Sequence, residues 1–193
     1  MKNFALRLFT STILLFILLI SLFYSKYLWL FLLIISSFIL FIEFSNLIKK
    51  IWKKEKNLII TGNVFSLLFL LLLIFFAFDI YINPPVLITF IILICICSDT
   101  GGYIVGNLIG GKKLTRISPN KTISGSMGSF IFSLFPIVLL IFYQKYSDNS
   151  VSQYDNYLFL IPICLFLSLI CQLGDLFISY FKRKAKVDDT GSI

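Results

Sequence analysis

Residues Ser98 to Gly125 read SDTGGYIVGNLIGGKKLTRISPNKTISG, whereas most of the 193-residue chain around them is apolar. The stretch holds one acid, six glycines, four basic residues and a Ser-Pro-Asn-Lys-Thr turn between two apolar runs. Its counterpart is Gly174 to Ile193, the other dense set of acids, bases and hydroxyls. Two polar pieces in a greasy chain imply apolar helices that hold them together on one face of a membrane, because helices satisfy their own backbone groups in lipid. The fold expected is therefore all-α and polytopic. It forms a single integral-membrane domain over 1–193, with N-terminal helices in 1–82 and a catalytic-type region in 84–193.

Composition supports this reading. The chain is 59% hydrophobic, 13% charged and carries 22 phenylalanines. A soluble domain is nearer to half apolar and a quarter charged. Of four cysteines, Cys95, Cys97, Cys164 and Cys171, none stands in a C-x-x-C pair and there is no histidine. Zinc chemistry is not expected, and the thiols read as inert packing groups.

Six apolar runs flank the polar pieces: Phe4–Tyr24, Tyr27–Ile48, Leu58–Ile80, Val86–Cys97, Ser126–Tyr146 and Tyr157–Tyr180. They are separated by the basic loop KKIWKKEKN (Lys49 to Asn57), by Asn83-Pro84-Pro85 and by the polar loop Ser147–Asn156. The run Val86–Cys97 falls short of the ~20 residues a span needs. It crosses only if its helix continues through Asp99 and the glycines. Gly102, Gly106 and Gly110 stand four apart, a spacing that suits close packing against a neighbouring helix.

Six spans with both termini inside place fifteen of the seventeen lysines and arginines on the inner side and leave only Lys26 and Lys145 outside. The positive-inside rule then puts both polar stretches in the cytoplasm. The net charge of +8 is spread over short loops between apolar runs, which suits anionic lipid or phosphate-rich substrates; no nucleic acid partner is expected.

Asp99 and Asp175 lie at the cytoplasmic ends of their runs, each followed by glycine or hydroxyl residues and then by bases. Glu43 and Asp79 read instead as interfacial groups. If the last helix continues, Asp175, Ser179 and Lys182 or Arg183 share one face. An acid for a divalent cation aligned with bases for phosphate suits phosphoryl or nucleotidyl transfer. The match of Gly106 to Lys112 to a phosphate-binding loop lacks both its Ser/Thr and its preceding strand.

The segment GDLFISYFKRKAKVDD, Gly174 to Asp189, resembles the signature of the phosphatidate cytidylyltransferases (CDP-diacylglycerol synthases). That signature runs S-x-x-K-R, four residues, K-D, a proline-containing turn, H-G-G and D-R-x-D. Ser179, Lys182 and Arg183 match it, and Asp189 takes the place of the aspartate in K-D. The earlier stretch is similar to the family's D-T-x-A-Y…G-K…S-P-x-K-T-x-x-G segment through Asp99, Thr100, Tyr103, Gly106, Gly111, Lys112, Ser118, Pro119, Lys121, Thr122 and Gly125. Asp188 stands where the family has lysine, and the sequence stops at Ile193, before H-G-G and D-R-x-D. The chain is accordingly expected to be C-terminally truncated relative to the family; where the coding sequence continues into that part of the signature, the isolated 193 residues are expected to be inactive.

The resemblance implies CTP-dependent transfer to phosphatidate, giving CDP-diacylglycerol and pyrophosphate, with Mg²⁺ as cofactor. Asp175 would hold the metal and act in catalysis with Lys182, Arg183 and Asp189. Asp99, Ser118, Lys121, Thr122 and Ser179 would bind substrate. A bacterial inner membrane, an active face toward the cytoplasm and a homodimer are further implications. The alternatives are another membrane phospho- or prenyl-transferase, for which Asp188-Asp189 is the one adjacent acidic pair, and a small transporter or non-catalytic fragment. CTP dependence separates the first; a transporter would carry mid-membrane polar groups in several helices.

Overall fold

The computed structural model describes residues 2–83, 85–115, 117–146 and 157–187. They form seven helices: α1 (Lys2–Tyr24), α2 (Lys26–Ile51), α3 (Lys56–Ile82), α4 (Pro85–Ile109), α5 (Ile123–Phe132), α6 (Phe135–Tyr146) and α7 (Leu160–Lys184), the last preceded by a 3₁₀ turn. No strand occurs among the described residues; one isolated antiparallel bridge pairs Lys113 with Thr122. Among the described residues five segments are long and apolar enough to cross a membrane: α2, α3, α4 from Val86, the run Ile123–Phe142 and α7. α1 adds a shorter apolar stretch, Thr12–Tyr24. The molecule is an all-α integral membrane protein. It divides into two compact units, residues up to Ile88 and Thr89–Asp189.

In the first unit Ser25, in extended conformation, separates α1 from α2 and caps α2 through its hydroxyl. α2 runs on through Lys49 and Lys50 to Ile51, so the basic loop is shorter than Lys49–Asn57. Lysines in a last helical turn meet the negative end of the helix dipole. Trp29 stacks on Tyr81 with ring centroids 5.9 Å apart, and the Tyr81 hydroxyl donates to the Leu22 carbonyl at 3.1 Å.

In the second unit α4 continues through Asp99 and the glycines to Ile109, the continuation its short apolar run requires. The expected single helix Ser126–Tyr146 is instead two. α5 starts earlier, at Ile123, and ends at Phe132; α6 resumes at Phe135. Pro136 explains the break, since it offers no N–H to the Phe132 carbonyl four residues before it and its ring crowds that position. The Ser133 hydroxyl fills the gap locally, donating to the Phe130 carbonyl at 2.7 Å. Phe90, Ile94, Ile137 and Cys164 form the buried core of this unit, and Cys164 acts there as a packing group.

Candidate functional site

Two glycines end α4. Gly110 and Gly111 adopt φ of 63° and 102°, values that only glycine takes readily, and the Gly110 N–H closes the helix on the Gly106 carbonyl at 3.1 Å. A Cβ on Gly110 would meet nothing within 4 Å. Gly110 thus turns the chain and does not extend the packing stripe its spacing suggested. The loop then folds back on itself. Leu114 N–H donates to the Lys121 carbonyl at 2.8 Å, and Ile123 N–H to the Lys112 carbonyl at 3.0 Å. Ser118 to Lys121 forms a turn closed by Lys121 N–H on the Ser118 carbonyl at 3.2 Å, with Pro119 in the position that favours proline. Thr122 caps α5, its hydroxyl accepting from the Gly125 N–H at 3.1 Å, and Ser124 ties the loop to the Gly110 carbonyl.

The loop is held at the site because α4 and α5 touch backbone to backbone. A Cβ on Gly125 would lie 2.8 Å from the Gly102 carbonyl oxygen, and one on Gly128 would lie 2.8 Å from that of Gly101. Gly106 faces Thr122 and Gly125 in the same contact. Small residues permit this approach where lipid supplies no hydrophobic drive between helices.

Between α4, the loop, α5 and α7 lies a cavity of about 300 Å³. Asp99, Ser118, Lys121, Thr122 and Asp175 all line it, so five residues singled out in the sequence converge. Lys121 Nζ lies 2.7 Å from Asp175 Oδ2. Thr122 is buried and engaged in the α5 cap. Ser179, Lys182 and Arg183 continue α7 beyond the cavity, without lining it; the Ser179 hydroxyl donates to the Asp175 carbonyl of its own helix at 2.7 Å. Asp189 lies outside the described residues.

Sequence reasoning missed the amides and hydroxyls that complete the wall, Gln172 above all. The Ser126 hydroxyl donates to Gln172 Oε1 at 2.5 Å. Gln172 Nε2 points to Ser168 Oγ at 3.4 Å, and Ser168 shares a 2.8 Å hydrogen bond with Ser98. This chain of polar groups runs from α5 through α7 to α4, and Ser98 and Ser168 are fully buried. Its signal was present: Ser168, Gln172, Asp175 and Ser179 recur at spacings of four, three and four, one face of a helix.

Two carboxylates and several amide and hydroxyl oxygens make a hard donor set. Among the described residues no three or more His, Cys, Asp or Glu side chains cluster as a full metal cage. Oxygen donors of this kind suit Mg²⁺, which binds through one or two carboxylates and completes its shell with water and substrate phosphates.

A model of the cytidylyltransferase family matches residues 9–193. The chain is 43% identical over 108 residues to a phosphatidate cytidylyltransferase of Staphylococcus saprophyticus. It is 39% identical over 107 residues to one of Staphylococcus haemolyticus and 38% over 110 residues to one of Bacillus subtilis. Each match covers 55% of this chain but only 38% of the relative. No solved structure matches.

Proposed function

The chain belongs to the cytidylyltransferase family, and on that premise we propose that the full-length protein transfers CMP from CTP to phosphatidate, releasing pyrophosphate. The observation that carries this reading is the convergence of Asp99, Asp175, Lys121 and the Ser118–Thr122 turn on one cavity. One substrate is a lipid and the other a highly charged soluble anion, so the reaction belongs at a membrane surface. The distribution of lysine and arginine over the loops supports the cytoplasmic face of an inner membrane.

In this reading a phosphatidate oxygen attacks the α-phosphorus of CTP in line, and the bond to pyrophosphate breaks. Asp175, which shares the cavity wall with Asp99, would hold Mg²⁺. When bound, the ion neutralises charge on the transferring phosphate and the leaving pyrophosphate. Lys121 supplies a positive charge to the nucleotide phosphates. Lys182 and Arg183, in the last turn of α7, meet phosphate beyond the cavity, where arginine offers a planar fork. Ser179 is a further polar group on the same helix. The Ser126–Gln172–Ser168–Ser98 chain ties α4, α5 and α7 together around the cavity.

Asp175→Asn in the full-length protein tests the reading. It is expected to lower Mg²⁺-dependent CMP transfer by on the order of a hundredfold or more, the scale of losing one preorganised charge at a transition state. Unchanged turnover would refute the metal role. Lipid modification that proceeds without CTP would favour a different membrane transferase.

A further inference from the structure

The backbone of Lys121 is fixed on both sides. Its N–H is bound to Ser118, its carbonyl to Leu114, and the next residue caps α5. Its side chain is a flexible four-carbon stem with a compact charge at the tip, so the ammonium can move about a stationary anchor. It lies 2.7 Å from Asp175 Oδ2, and the two side chains are 29% and 57% exposed. An ion pair this open to water is weak and readily exchanged. Asp99 lines the same cavity, so the wall carries two acids against one lysine, and an entering polyphosphate adds more negative charge.

We propose that Lys121 is a positioning residue that couples nucleotide binding to divalent-cation binding. While no nucleotide is present, its ammonium occupies the Asp175 carboxylate. When phosphates enter the cavity the ammonium moves to them, and the freed carboxylate accepts the cation. The inference rests on the CTP-dependent reading above and deepens it, because it fixes an order: a divalent cation alone competes with an internal one. Linkage makes the effect reciprocal, each ligand raising affinity for the other by the same factor.

The test is Mn²⁺ binding to the full-length protein in detergent, followed by the free Mn²⁺ spin-resonance signal, with and without CTP. Lys121→Met (or Lys121→Gln, should the first not fold) is expected to bind Mn²⁺ alone at least about fivefold more tightly than wild type, at the low end of ordinary coupling. The gain in affinity on adding CTP should shrink in the same variant, and CTP binding without metal should weaken. Lys121→Arg, which keeps the charge, should retain the weak Mn²⁺ binding of wild type in the absence of CTP. A lysine with a merely structural role would leave Mn²⁺ affinity unchanged or lower it, and either result overturns the coupling. Wild-type protein that binds Mn²⁺ through Asp175 but never CTP would instead bring down the nucleotide reading, and this inference with it.

Discussion

In the first unit, α1 to α3 meet through side chains: Trp29 stacks on Tyr81, and Ile48 fills the space over Gly62. In the second unit α4 and α5 meet through their backbones, at Gly101, Gly102, Gly125 and Gly128. The buried polar groups differ in the same sense. Ser98, Ser168 and Gln172 form bonds across helices, whereas Trp29 Nε1, Ser37 Oγ and Asn63 Oδ1 have no partner among the described residues. Helices of similar greasiness therefore serve different ends. Aromatic and aliphatic contacts suffice to keep helices together in lipid. Backbone contact also draws the ends of helices close enough for a polar loop to seat against two carboxylates.

Substitutions that insert or remove single groups would sharpen or break this contrast. The largest effect is expected from Gly128→Ala, whose Cβ would fall 2.5 Å from Val105 Cβ. Forcing α4 and α5 apart should cost about 1–3 kcal/mol in thermal unfolding in detergent, and the CMP transfer proposed for the full-length protein should fall with it. An unshifted melting curve would mean the backbone contact is slack. Gln172→Leu removes the bond that links α5 to α7 and should cost about 0.6–1.7 kcal/mol, the range for hydrogen bonds between membrane helices. Tyr81→Phe removes the bond to the Leu22 carbonyl; about 0.6 kcal/mol is expected, with the CMP transfer proposed for the full-length protein unaltered. A loss of transfer in that variant would erase the functional distinction between the units. Smallest is Gly174→Ala, in α7 with nothing within 4 Å of the added methyl. It should be neutral or stabilising by up to about 1 kcal/mol.

The helices were legible because apolar runs have few alternatives in a chain this greasy, and the shortness of Val86–Cys97 alone required α4 to continue. The α5–α6 break was legible in principle at Pro136, but an unbroken apolar run concealed it. Gly110 was misread because a spacing of four persists past the point where the backbone turns left-handed. The convergence of Asp99, Ser118, Lys121, Thr122 and Asp175 came through family motifs, which encode a site without showing its geometry. The ion pair joins residues 54 apart in sequence, a distance over which local spacing says nothing. Gln172 went unnoticed because one amide in an apolar run resembles a tolerated exception until the serines on its face are counted with it.

The most direct measurement supplies the full-length protein, reconstituted with phosphatidate and Mg²⁺, with CTP labelled at either its α- or its γ-phosphorus. Cytidylyl transfer predicts that the α-label moves to the lipid and the γ-label leaves in pyrophosphate, and that Asp175→Asn stops both. A γ-label on the lipid, or lipid left unlabelled by protein that binds both substrates, would contradict the account.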